Sequence, residues 1–171
     1  MSKIALFEAL PLRNAISKRI QELLQERDSV AYVEHDKDEK YTKPTKTVDQ
    51  ITAELESTKK DYRELVVLIA KANLDAKVLW DEKELSITEA LELAQQLRGE
   101  ANKLKSYGRS QKTERVNSYS DVISYREALF DPDKMQTKGL KLERMANRLS
   151  NSIEKANHNY EIEFEAADKY L

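Results

Sequence analysis

Residues 48–73 read VDQITAELESTKKDYRELVVLIAKAN, and this stretch decides the fold. Its apolar positions recur at alternating steps of three and four residues, which is the a/d spacing of a coiled-coil heptad. The positions are Val48, Ile51, Leu55, Thr58, Tyr62, Leu65, Ile69 and Ala72, here called the heptad seam. Thr47 or Asp49 can cap the first amides, because a side-chain oxygen accepts their hydrogen bonds. The spacing predicts a helix over about 48–73.

The composition of the whole chain is typical of long helices. Charged residues make up 35% of the 171 residues and aromatic residues 7%, with three glycines and three prolines. This length fits a single domain over residues 1–171. The absence of cysteine excludes disulfides and thiolate metal sites, and no apolar run reaches the roughly 18 residues that span a bilayer. A cytoplasmic protein without a membrane partner is therefore expected.

A first helix is predicted from about Lys3 to Asp28, with Leu12, Ile16, Ile20 and Leu23 on one face. Pro11 leaves two alternatives, because proline removes a helical hydrogen bond: residues 3–10 form a separate short segment or a kinked extension. A mobile loop at about 29–46, with or without a short strand, connects this helix to the heptad helix.

The residues after the heptad helix predict a small hairpin. Lys77-Val78-Leu79-Trp80 and Leu85-Ser86-Ile87 flank a polar tetrapeptide. Ser86 followed by Glu89 fits a helix N-cap, so a third helix should extend through Leu104. Residues 108–132 are left open between a helix and short strands.

A last helix is predicted from Asp133, capped by Asp131 or Asp133. Its apolar positions are Met135, Leu142, Met145, Leu149, Ile153, Ala156, Tyr160 and Phe164. Together these elements predict a mainly α protein, a long-helix antiparallel bundle with coiled-coil-like packing and a small β-hairpin near Trp80.

Motifs for chemistry are sparse. The two histidines, His35 and His158, do not form a metal-binding pair, and the isolated glycines cannot form a phosphate-binding loop. No serine lies in a G-x-S-x-G turn. We therefore expect a non-enzymatic protein without cofactor or metal.

The heptad spacing favours an interaction role. A seam that the chain cannot cover by itself has to be covered by another subunit, which predicts a homo-oligomer or a protein partner. The residues predicted to contact the other subunit lie on two helices. On the heptad helix they are Val48, Ile51, Leu55, Tyr62, Leu65 and Ile69, and on the last helix they are Leu142, Met145, Leu149, Ile153 and Tyr160.

A basic stretch within residues 98–115 offers an alternative function. Cations interleaved with Tyr107 and followed by Tyr119 and Tyr125 suit phosphate contact and base stacking. The candidate cations for this polyanion patch are Lys103, Lys105, Arg109, Lys112 and Arg115. A helix end whose basic residues favour the C-terminal dipole explains the same pattern and is the preferred interpretation. Nucleic acid is therefore an alternative partner that is not favoured.

Several short motifs, in order along most of the chain, resemble the septicolysin-like family of small bacterial proteins. They are Glu8-Ala9-Leu10, Leu12-Arg13, Ile69, Asn73, Leu85, Thr88-Glu89-Ala90-Leu91 and Asn159-Tyr160. The resemblance implies a helical fold and unknown function. The family name also suggests a membrane-active protein, which would need amphipathic helices that open onto lipid.

Overall fold

The computed structural model describes residues 2–116 and 123–171, and this part of the chain is mainly helical. The helices are α1 (Leu6–Val30), α2 (Val48–Asp75), α3 (Ile87–Gly108) and α4 (Pro132–Asn159). The strands are β1 (Lys3–Ala5), β2 (Lys77–Trp80), β3 (Lys83–Ser86), β4 (Thr113–Val116), β5 (Ser124–Glu127) and β6 (Glu161–Glu163). They form the antiparallel pairs β1–β6, β2–β3 and β4–β5. The mainly α fold with a small hairpin at Trp80 is confirmed.

Contacts between Cα atoms group the chain into two compact units. Unit 1 contains Met1–Ala76 and Asn157–Leu171, and unit 2 contains Lys77–Ala156. In sequence, unit 2 is thus inserted between two parts of unit 1. The single domain expected from the chain length stays a prediction.

In unit 1, α1 and α2 pack antiparallel. Leu23, near the end of α1, forms a buried cluster with Ile51 and Leu55, near the start of α2. Glu54 on α2 accepts hydrogen bonds from Arg19 at 2.6 Å and from Lys46 at 3.1 Å, so it links both helices to the segment between them. That segment forms no helix or strand, as predicted for a loop, and its mobility stays a prediction.

The helix α1 continues through Pro11. Pro11 lies in the second turn, where the one hydrogen bond that it removes is the bond to the carbonyl of Phe7. The predicted start at Lys3 was wrong because residues 3–5 pair as β1 with β6. Ile4 lies opposite Ile162 in this ladder.

The C-terminal end of the last helix also differs from the prediction. The helix α4 begins at Pro132, where Asp131 Oδ1 accepts hydrogen bonds from the amides of Asp133 at 3.0 Å and Lys134 at 3.2 Å. It ends at Asn159, so Tyr160 and Phe164 do not continue its apolar face. The carbonyl of Tyr160 instead accepts from the amide of Leu6 at 2.8 Å, and the amide of Phe164 donates to the carbonyl of Ser2 at 3.1 Å.

A polar contact holds the segment after β6 against α2. Asp61 Oδ2 accepts hydrogen bonds from Tyr170 Oη at 2.6 Å and from Lys169 Nζ at 2.9 Å. Burial would raise the pKa of Asp61, but the hydrogen bonds from Tyr170 and Lys169 outweigh it and lower this pKa below its ordinary value. Burial and the neighbouring Asp61 carboxylate raise the pKa of Tyr170. Ionised Asp61 therefore stabilises the folded state.

The replacement Asp61→Asn should lower the free energy of unfolding by about 1–2 kcal/mol at neutral pH, because charge-assisted hydrogen bonds are lost. Since the pKa of Asp61 is depressed in the folded protein, its contribution is present above the unfolded aspartate pKa of about 3.9 and is lost as pH falls through the lower folded value. Urea denaturation between neutral and acidic pH should show a smaller loss of stability in Asp61→Asn than in the wild type. Asp38→Asn, in the exposed loop, is the control. Equal pH profiles for Asp61→Asn and wild type would contradict the prediction.

In unit 2, β2 and β3 form a hairpin, as predicted. Its second strand was predicted at 85–87 after a four-residue polar loop, but it begins at Lys83 and ends at Ser86, and Ile87 begins α3. Lys77 lies opposite Ser86 and Trp80 lies opposite Lys83, with Asp81 and Glu82 as the two-residue turn. Both turn residues have positive φ, 46° and 63°, as a type I′ turn requires. Ser86 then caps α3 by accepting a hydrogen bond from the Glu89 amide at 3.2 Å.

The helices α3 and α4 pack closely through a glycine. A Cβ atom at Gly139 would lie 2.9 Å from the backbone nitrogen of Lys105 and 3.0 Å from the carbonyl oxygen of Ala101. Lys105 Nζ donates to Glu143 Oε1 at 2.6 Å, and Arg98 hydrogen-bonds to Ser150. The helix α3 ends at Gly108. Within the segment 108–132, which the sequence left open, residues 113–116 form β4 and residues 124–127 form β5, and residues 117–122 lie outside the described residues.

Candidate docking surface

Most of the heptad seam lies inside the chain. Ile51, Leu55, Leu65 and Ile69 are buried, Tyr62 is half-buried and Val48 is exposed at the start of α2. The helix α1 packs along α2, and β6 contacts it as well. The chain itself therefore covers the seam that the sequence offered to a partner.

The predicted seam positions of the last helix are also occupied within the chain. Leu149 and Ile153 are buried, and Leu142 and Met145 are half-buried. Tyr160, also half-buried, lies between α4 and β6, outside the helix on which it was predicted. These positions therefore need no second subunit to cover them, and homo-oligomerisation stays a prediction that requires a different surface.

Such a surface lies on the outside of α2. A second set of positions there recurs at alternating steps of three and four residues, and all of them are exposed. They are Ala53, Glu56, Lys60, Arg63, Val67, Ala70 and Leu74, here called the outer stripe. Val67 is 65% exposed and Leu74 58% exposed. The outer stripe is thus charged in its first half and apolar in its second half.

Two opposite charges and a further valine flank the apolar half of the outer stripe. Glu64 and Lys71 are exposed on the same edge, and Val66 is exposed on the other edge. Neither Glu64 nor Lys71 makes an ion pair within residues 2–116 and 123–171. None of these positions was among the predicted seam residues, although the three-and-four spacing from Ala53 to Leu74 was a readable signal.

The cations of the candidate polyanion patch differ in their surroundings. Lys105 is engaged by Glu143 on α4, and Lys112 Nζ donates to the carbonyl oxygens of Ala128 at 2.5 Å and Phe130 at 2.9 Å. Arg109 and Arg115 are exposed, at the end of α3 and on β4. Two of the predicted cations therefore have structural partners, and polyanion binding stays a prediction.

The aromatic residues near this patch also differ in their surroundings. Lys103 Nζ lies 4.9 Å from the centre of the Tyr107 ring, and that ring packs against Phe130 with centroids 5.0 Å apart. Tyr125 is exposed on β5, and Tyr119 lies outside the described residues. Tyr107 is thus already in contact with protein groups and is a poor platform for a stacked base.

An open cleft in unit 2 lies beside the same segment. It has a volume of about 500 Å³. Its lining residues are Ser106, Tyr107, Ser110, Gln111, Glu114, Arg126, Glu127, Ala128, Leu129 and Phe130. Glu114 and Arg126, the charged pair across β4 and β5, bind each other. The cleft therefore brings together no unpaired acid and base for catalysis.

The placement of possible metal ligands and the apolar character of the helices bear on other functions. Residues 2–116 and 123–171 contain no group of three or more histidine, cysteine, aspartate or glutamate side chains placed to hold a metal ion. In the same ranges, no helix combines the length and apolar character that crossing a membrane requires.

Comparison with known proteins identifies the fold without a function. No protein-family model matches the chain, and no curated protein matches it. A solved structure that is similar to it is described as a functionally unknown conserved protein from Corynebacterium diphtheriae. The two chains are 22% identical, with a TM-score of 0.59, over 95% of this chain and 100% of the other. At this identity, the likeness shows the fold alone.

Proposed function

We propose that this protein is a non-enzymatic interaction protein that assembles with copies of itself through the outer stripe of α2. The observation that carries the proposal is the exposure of Val67 and Leu74 on one face of a long helix. Fully burying a side chain of this size is worth about 1.5–3 kcal/mol, and covering the exposed parts of Val67 and Leu74 would contribute somewhat over half of that for each. This contribution favours association and offsets part of the translational and rotational freedom that association loses.

The spacing of the outer stripe supports the same proposal. Its three-and-four steps repeat the geometry by which one helix inserts side chains between those of another. The heptad seam on the opposite side of α2 is already packed inside the chain. The helix can therefore hold its own fold with one face and receive a further helix on the other.

Light scattering coupled to gel filtration tests the proposal. We expect the wild type to have a concentration-dependent mass above that of the monomer at tens of micromolar, the range of weak interfaces, and Val67→Glu to remain a monomer. The substitution should not unfold α2, because Val67 is exposed and glutamate is a better helix former than valine. Burying the introduced carboxylate in an interface would be costly.

Leu91→Glu is the matched control, because Leu91 is 51% exposed on a different helix, α3. It should associate like the wild type. A wild type that is monomeric at every concentration, or an equal loss of association in Val67→Glu and Leu91→Glu, would contradict the proposal.

A further inference from the structure

We propose that two copies pack α2 against α2 in antiparallel orientation, about a two-fold axis at the level of Leu68 and Ile69. The inference rests on the proposed function and specifies its partner and geometry. In this register Val67 packs on Ala70 of the second copy, and Ala70 packs on Val67 of the second copy. Leu74 then covers the aliphatic part of Arg63 of the second copy.

The outer stripe is charged in its first half and apolar in its second half, and this arrangement favours the antiparallel orientation. A parallel pair in register would place Glu56, Lys60 and Arg63 each against the same residue of the second copy, and like charges that face each other repel. An antiparallel pair centred on the middle of α2, between residues 61 and 62, would place Val67 against Glu56. Centring the pair on the apolar half instead brings apolar side chains together and leaves Glu56 and Lys60 in water.

The flanking charges are complementary only in this register. On an antiparallel pair centred at residues 68 and 69, Glu64 lies beside Lys71 of the second copy, and the two-fold symmetry makes this contact twice. Both charges lack an ion pair in the described part of the chain, so each can pair with the second copy without breaking an existing bridge.

The length of the overlap sets the strength of the dimer. The paired segments extend from Tyr62 to Asp75, which is roughly 20 Å of helix. An interface of this size is at the small end of specific protein interfaces, so a dissociation constant in the micromolar range is expected, on the order of 10 μM. The dimer should therefore dissociate on dilution.

Charge exchange tests the register on the full-length chain by sedimentation equilibrium. Glu64→Lys places Lys71 beside a lysine at both contacts, and Lys71→Glu places Glu64 beside a glutamate. Each should weaken the dimer by roughly tenfold or more, because like charges replace opposite ones twice. The double variant Glu64→Lys with Lys71→Glu should recover wild-type affinity to within about threefold, because it restores opposite charges at both contacts.

The matched control is Glu56→Lys, which makes the same change of charge on the same helix outside the overlap. It should change the dissociation constant by less than about threefold. If Glu56→Lys weakens the dimer as much as Glu64→Lys does, the effect is one of net charge and the register is wrong.

Cross-linking provides a second readout, because the chain has no cysteine of its own. Glu64→Cys protein mixed with Lys71→Cys protein should be joined by a short bis-maleimide, at a protein concentration where the wild type is dimeric. Ser57→Cys protein mixed with Lys71→Cys protein should not be joined. Residue 57 lies on the same face of α2 as residue 64 but two helical turns before it, too far from residue 71 of the second copy. Peptide mass spectrometry identifies the joined residues.

The outcomes separate the two proposals. Recovery in the double variant together with the 64–71 cross-link supports the antiparallel pair. An oligomer that is insensitive to charge at residues 64 and 71, or that cross-links at 57 and 71, overturns this register and leaves self-association standing. A wild type that stays monomeric overturns both.

Discussion

Phe164→Ala is expected to lower the free energy of unfolding by about 3–5 kcal/mol, the usual cost of removing a fully buried phenylalanine. Phe164 is 0% exposed, and its amide is fixed to the carbonyl of Ser2 immediately after the β1–β6 ladder. Truncation leaves a cavity at a place where backbone hydrogen bonds limit collapse. Urea denaturation followed by circular dichroism measures the change.

Glu165→Ala is the control for this prediction, because Glu165 is the next residue and is exposed. It should change stability by less than about 0.5 kcal/mol. A loss below about 1 kcal/mol for Phe164→Ala would contradict the burial of this residue.

Gly139→Ala is expected to destabilise unit 2 by about 1–3 kcal/mol, because an added methyl group would meet the backbone of Lys105 and Ala101. Backbone atoms in the middle of a helix cannot move aside independently, so α3 and α4 would have to separate. Thermal unfolding of the whole chain measures the change. This loss outweighs the gain in helix propensity that alanine normally brings.

Gly99→Ala provides a comparison with the same chemical change. Gly99 lies on α3, and a Cβ atom there would meet nothing within 4 Å. Alanine should stabilise the protein by about 0.5–1 kcal/mol through its helix propensity alone. Stabilisation by both substitutions would show that the two helices do not approach closely at Gly139.

The regular spacing of apolar residues made much of the fold predictable. The heptad seam specified α2 nearly to its ends, and the polar residues after Trp80 indicated a hairpin, although its turn has two residues where four were predicted. Asp131 was predicted as a cap because its role depends only on the two amides that follow it. Helices, caps and tight turns are determined within a few residues, so their signals survive in one sequence.

The start of α1 and the end of α4 could not be predicted from the helical pattern. Tyr160 and Phe164 fit the spacing of the last helix, yet the pairing of β6 with β1 removes them from it. A strand this short gains its hydrogen bonds from a partner far away in sequence, and no local window contains that partner. The alternation of apolar and charged residues from Tyr160 to Phe164 was the one local sign of a strand.

The sequence placed the docking seam on the side of α2 that the chain itself covers, for a related reason. The spacing of Ile51, Leu55 and Leu65 correctly indicates burial against another helix, but it does not indicate whose helix. The structure supplies α1 from the same chain. The outer stripe, with weaker apolar character, becomes a candidate only after the stronger seam is known to be covered. Self-association is a prediction for the experiments above, and the septicolysin-like resemblance stays a prediction.

The β1–β6 ladder has a consequence for the order in which the chain is made. Residues 3–5 leave the ribosome before unit 2, whereas their partners in residues 161–163 follow only after all of unit 2 has been synthesised. During this time α1 and α2 are already made but the ladder cannot form, and the whole of the inserted unit is available to fold. Contacts so distant in sequence also close slowly, so the completion of unit 1 follows the synthesis of unit 2.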